Sequence, residues 1–166
     1  MSIEKCIGCG VETDRLDGPV HQYLLSSPGC WKKFGEILAR EYENPEYMLV
    51  HSLTVDAYAL QHPGIENSKT ISSAYVHLAS LYSYFELGIP IIELPNVKKA
   101  LSPFKGRLTW LEPPLVLNQV TVADVLNADS VSQHHDAILK WSRYVYDSWE
   151  IHHSKIASLL SNDTRQ

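Results

Sequence analysis

The chain has no apolar run near the roughly 20 residues needed to cross a bilayer, and Met1-Ser2-Ile3-Glu4-Lys5-Cys6 lacks the apolar stretch of a secretory leader. A cytoplasmic protein with no membrane partner is therefore expected. Basic residues are also few, since 14 Lys and Arg stand against 19 Asp and Glu for a net charge of -5. A surface built to neutralise phosphates carries the opposite excess, so no nucleic-acid partner is expected. The one basic run, Lys98, Lys99, Lys105 and Arg107, reads as solvated surface. Nowhere does the chain contain G-x-x-x-x-G-K, G-x-G-x-x-G, G-x-S-x-G or H-E-x-x-H. The common signatures of phosphate binding, dinucleotide binding, serine hydrolysis and zinc proteolysis are thus missing. No internal repeat is found. Cysteine is scarce as well, with three in 166 residues, and in a reducing compartment these do not suit a disulfide framework.

What is present is ordinary globular material. Hydrophobic residues make up 45% and charged residues 20%, and a chain of 166 residues buries a core without a covalent staple. Residues 1–27 are dense in turn formers, including Gly8, Gly10, Asp17-Gly18-Pro19 and Ser26-Ser27-Pro28, and show no sustained period. They predict an irregular lobe. From Pro28 to Tyr42, Trp31, Phe34, Leu38 and Tyr42 recur at helical spacing behind the cap Ser27. A short helix is expected after Thr54 as N-cap, ending at Pro63-Gly64, and a longer one over Thr70 to Leu87. Five prolines between residues 88 and 120 predict extended loops with one helical turn around Val97 to Leu101. Thr121-Val122-Ala123-Asp124 resembles a capping box opening a brief helix to Asn127. One long helix is expected from Ser132 to Leu160, with Ile138, Trp141, Val145, Trp149, His152 and Ile156 on its apolar face. The expected fold is mostly α, a helical bundle (28–166) with an irregular N-terminal zinc-knuckle-like lobe (1–27) packed on it as one domain.

Cys6-Ile7-Gly8-Cys9-Gly10 carries the sharpest chemistry, because two residues between thiolates let a tight turn place both sulfurs on one tetrahedral ion. Cys30 falls in the first turn of the helix after Ser27, where unpaired amides favour a thiolate. With His21 these residues make a Cys6, Cys9, His21, Cys30 set for a structural zinc. Asp14, Asp17, His51 and His62 are the alternatives for the fourth ligand. Reduced core cysteines and a redox pair are the competing readings, the latter lacking its usual strand and helix context.

Eight histidines are many for this length. Asp56, His62, His77 and His152 fall on three predicted helices, and their convergence in one polar pocket would make a second polar or metal site. The bland alternative is a helix-end acid and hydrogen-bonded core histidines.

At Cys6-x-x-Cys9-Gly10, Asp17-Gly18-Pro19-x-His21-x-Tyr23, Ser26-Ser27-Pro28-Gly29-Cys30-Trp31 and Leu53-Thr54-Val55-Asp56-Ala57-Tyr58-Ala59 the chain resembles an uncharacterised, mainly microbial family known only as a domain of unknown function. Gln61-His62-Pro63-Gly64, Val76-His77-Leu78, Trp110-Leu111-Glu112-Pro113-Pro114, Thr121-Val122-Ala123-Asp124 and His152-His153 extend the resemblance over nearly the whole chain. It implies no activity. The expected function is a zinc-stabilised helical protein that binds a protein or small-molecule partner; the alternative is a metal-dependent hydrolase using the histidine and aspartate pocket.

Overall fold

Dense turn formers leave the N-terminal segment room for only the shortest regular pairing, and in the computed structural model, which describes residues 2–115 and 117–163, that pairing is a hairpin. Strands β1 (Ile3–Lys5) and β2 (Glu12–Asp14) run antiparallel, with Ile3 opposite Asp14 and Lys5 opposite Glu12. Three-residue strands are too short to show an alternating pattern, which is why the sequence reads as irregular there. The loop between them is drawn tight by Gly10 N donating to Cys6 O (2.8 Å) and Cys6 N donating to Val11 O (2.9 Å). Gly10 has φ 71°, a left-handed conformation that glycine adopts without steric cost.

Helix α1 (Pro28–Glu43) begins as its cap predicts, with extended Ser27 accepting from Cys30 N (3.2 Å). After α2 (Pro45–Met48), helix α3 (His51–Gln61) starts a turn earlier than expected. Thr54 lies inside it rather than capping it, because its hydroxyl finds a tertiary partner: it donates to Glu41 Oε1 (2.5 Å) as well as to Val50 O (3.3 Å). Helix α4 (Ser68–Phe85) opens with a reciprocal capping box between Asn67 and Thr70. The proline-rich region holds α5 (Leu94–Ala100) between two short 3-10 turns, and α6 (Val122–Leu126) follows the Thr121 and Asp124 capping box.

The long C-terminal helix of the sequence reading is a correction. Helix α7 (Val131–Ser148) stops at Trp149, a 3-10 turn covers Glu150–His152, and α8 (His153–Asp163) follows as a separate helix that packs against α4. Neither glycine nor proline marks the break. Trp149 itself is 1% exposed and donates its Nε1–H to Leu60 O (3.1 Å), so burial of this side chain decides the chain's path.

Helix α3 is the centre of the bundle, packed against α4 on one side and α7 on the other. Leu53, Ala57 and Leu60 of α3, Leu78 and Leu81 of α4, and Trp141, Val145 and Trp149 share one buried core, with Trp31 half-buried at its margin. The carboxyl end of α3 is tied in three ways. Leu60 O accepts from Trp149; Gln61 donates to Leu117 O (2.8 Å) and Val120 O (2.6 Å) while accepting from Trp141 Nε1 (2.9 Å); His62 O accepts from Leu25 N (3.1 Å). Helix ends leave carbonyls without intrahelical partners, and here the core and the N-terminal lobe supply them. The mostly α architecture with a cysteine-rich lobe on a helical bundle is thus the observed one. Among the described residues no helix is long and apolar enough to cross a membrane.

Candidate metal centre

Three elements bring the cysteines together with a histidine. The β1–β2 loop supplies Cys6 and Cys9, and the first turn of α1 supplies Cys30, whose backbone N–H is held by Ser27. The fourth member comes from the end of α3: one ligand atom from each of Cys6, Cys9, Cys30 and His62 lies within 4.8 Å of all the others. Exposures are 3%, 1%, 0% and 0% in that order.

His62 takes the place that the sequence reading gave to His21. The ring of His21 packs edge-on against Tyr23 and Trp31, and its Nδ1 accepts from Tyr23 N (3.3 Å). Burial, with a smaller contribution from the charge of His77, holds the His21 imidazole below its usual range. The lobe must also approach α3 closely for His62 to reach the sulfurs. Gly8, inside the cysteine loop, permits this, because a Cβ there would meet Leu25 O and stand 2.5 Å from His62 Cδ2.

The geometry matches a tetrahedral ion. Bonds of about 2.3 Å to sulfur and 2.0 Å to nitrogen give S–S edges of roughly 3.8 Å and S–N edges of roughly 3.5 Å. Cys9 Sγ and Cys30 Sγ are 3.8 Å apart, and Cys30 Sγ is 3.4 Å from His62 Nε2. The tautomer is fixed by chemistry: His62 Nδ1 lies 2.8 Å from Tyr58 O, a carbonyl that only accepts, so Nδ1 carries the proton and Nε2 presents its lone pair to the sulfurs. Tyr58 also stacks on Phe34 and on His62 at centroid distances of 3.8 and 4.0 Å, and its hydroxyl is 3.7 Å from Cys30 Sγ. These contacts lock the ring and wall off solvent.

The thiols cannot all ionise without a cation. Hydrogen bonds from Cys30 and Cys9 hold the Cys6 thiol far below its ordinary range. Cys9 is drawn down by Cys30, but its contact with Cys6 and its burial prevail and leave it pushed up to about 12. Hydrogen bonding to Cys6 and Cys9, together with burial, pushes Cys30 up strongly. The crowded, buried sulfurs therefore retain protons among them, and a divalent ion is the species that relieves this crowding.

The second expected site does not assemble as four residues. His62 belongs to the cysteine cluster. His152 lies in the 3-10 turn after Trp149, where its Nε2 hydrogen-bonds Glu112 O (2.8 Å), so the helix break removes it from the apolar face. Asp56 and His77 do meet, with His77 Nδ1 2.7 Å from Asp56 Oδ1. Lys98 joins them, its Nζ 2.6 Å from the same oxygen. That ion pair escaped the sequence reading because Lys98 looked like one of a solvated run; its only local signal is that α5 follows α4 closely enough to fold back on it.

A helical body and a buried group of three cysteines and one histidine able to hold a metal define the class. The chain belongs to the family of unknown function DUF5946, whose model matches residues 4–150. No curated protein and no solved structure matches it.

Proposed function

We propose that this is a zinc-stabilised helical binding protein in which Cys6, Cys9, Cys30 and His62 hold one structural zinc. The hydrogen bond from His62 Nδ1 to Tyr58 O carries the reading, because it aims a neutral imidazole nitrogen at three sulfurs as a zinc ligand requires. Sulfur-rich ligation favours zinc over hard cations such as magnesium or calcium. Four protein ligands, all buried, leave no open position for water, and this supports a structural rather than a hydrolytic role. A zinc ion there would supply a cross-link between the hairpin, the start of α1 and the end of α3. Three unoxidised thiols also suit a reducing compartment such as the cytoplasm.

The binding function belongs to the helical body. An open groove of about 1050 Å³ runs beside α4, lined by Tyr23, Ile71, Val76, His77, Lys105 and Leu108 among others, and its size suits a small-molecule partner. The test of the zinc reading is metal analysis of protein purified without added metal. About one equivalent of zinc is expected, lost on His62→Ala; metal-free protein of undiminished thermal stability contradicts it.

A further inference from the structure

Asp56 is wholly buried on α3 and draws donors from two other helices. His77 Nδ1 (2.7 Å) and Lys98 Nζ (2.6 Å) reach Oδ1, and Ser80 Oγ (2.5 Å) donates to Oδ2. A carboxylate so paired only accepts, so Nδ1 of His77 carries a proton, and in the neutral form of the ring Nε2 keeps a free lone pair. What distinguishes His77 is its place: it pairs with a buried carboxylate and also lines the open groove, whereas His134, paired with buried Glu41, is itself wholly buried. His62 and His51 have partners at both nitrogens, whereas Nε2 of His77 has no hydrogen bond among the described residues. His77 lines the open groove beside α4. A groove-lining histidine anchored at one nitrogen by a buried carboxylate, with no hydrogen bond at the other among the described residues, has the arrangement of a general base.

The groove lining adds apolar and cationic side chains beside His77. Ile71, Val76 and Leu108 give it an apolar wall, and Lys69 and Lys105 place cations on the same lining. Ser72 and Ser73 line it too, but neither is hydrogen-bonded to His77 among the described residues. Water is then the nucleophile that His77 would activate.

We propose that His77 is the general base of a hydrolytic site in this groove, acting on small carboxylic esters. This rests on the groove being a ligand site and is independent of the zinc. A water proton passes to His77 Nε2 as the water oxygen bonds to the ester carbonyl carbon. The carbonyl electron pair moves onto oxygen, giving a tetrahedral oxyanion in a groove whose lining carries the cations Lys69 and Lys105. Collapse restores the C=O and breaks the bond to the alkoxide, which takes the proton from His77. The products are the carboxylic acid and the alcohol, and the imidazole is returned neutral. Asp56 is a positioning residue that fixes the ring and stabilises the imidazolium formed during transfer.

The test is hydrolysis of p-nitrophenyl acetate and butyrate by the zinc-loaded full chain and by His77→Gln. Saturable turnover is expected, with kcat/KM falling about 100-fold or more in His77→Gln while thermal midpoint and zinc content hold. Asp56→Asn should lower kcat with little change in KM; His77→Gln stands as the test if that variant does not fold. Saturation with undiminished kcat in His77→Gln overturns the general-base assignment and leaves the groove a binding site. Rates linear in ester for both proteins remove both.

Discussion

Nε2 of His62 stands 3.4 Å from Sγ of Cys30 although 32 residues separate them in the chain. That contact joins the first turn of α1 to the last turn of α3, and Cys6 and Cys9 fasten the hairpin to the same point. His62→Ala should therefore release the metal and lower the thermal midpoint, whereas His21→Ala should keep it, since His21 packs on Tyr23 and Trp31 instead. Metal content per chain after dialysis of the two variants separates the outcomes.

Metal loading should release protons. Crowding of the three sulfurs and their burial push the Cys9 and Cys30 thiols up in metal-free protein, so the cluster retains thiol protons. Binding displaces the protons of Cys9 and Cys30, so affinity must rise with pH and fall on acidification. A weakly buffered titration with a pH indicator should register acid release on adding zinc; loading without acidification contradicts the protonation pattern.

Much of this centre was legible because its parts are local. Cys6-x-x-Cys9 and the capped turn holding Cys30 each announce themselves over a few residues. The fourth ligand is a tertiary matter: His62 was one alternative among several, and what selects it is the Tyr58 carbonyl four residues earlier at a helix end, which orients the ring. The sequence points to Asp56 as the partner of His152 in one pocket with His62 and His77; the structure pairs Asp56 with His77 instead, and His152 is carried away by a helix break at buried Trp149. Thr54 was misread as a cap because its hydroxyl serves Glu41, a partner thirteen positions away that no local pattern reveals.

Glu41 is wholly buried and accepts from Thr54 Oγ1 (2.5 Å), His51 Nδ1 (2.7 Å) and His134 Nε2 (3.0 Å), linking α1, α3 and α7. Burial pushes its carboxyl up, but the hydrogen bonds from His134, His51 and Thr54 prevail and hold it below the usual range. A carboxyl lowered by folding contributes stability that is complete above its unfolded value and lost as pH falls through the folded one. Glu41→Ala should cost about 3 kcal/mol or more at neutral pH and flatten the acid limb of the stability profile. Denaturant melts of both proteins from pH 7 down to below the ordinary carboxylate range are the check; parallel profiles would refute the assignment.

Trp149 combines burial with a hydrogen bond to the end of α3. Trp149→Ala should cost about 3 to 5 kcal/mol, and part of the loss should appear as fraying of α8, whose start the indole anchors. Hydrogen exchange over residues 150–163 reports this directly. Unchanged protection there would mean that α8 is held by its own packing on α4 alone.

X-ray absorption at the zinc edge of protein purified without added metal tests the central claim most directly. The account predicts three sulfur neighbours at about 2.3 Å and one nitrogen at about 2.0 to 2.1 Å, with the same shell kept in His21→Ala and the zinc itself absent from His62→Ala. A shell without the outer scattering of an imidazole ring, or zinc retained in His62→Ala with an unchanged spectrum, would contradict it.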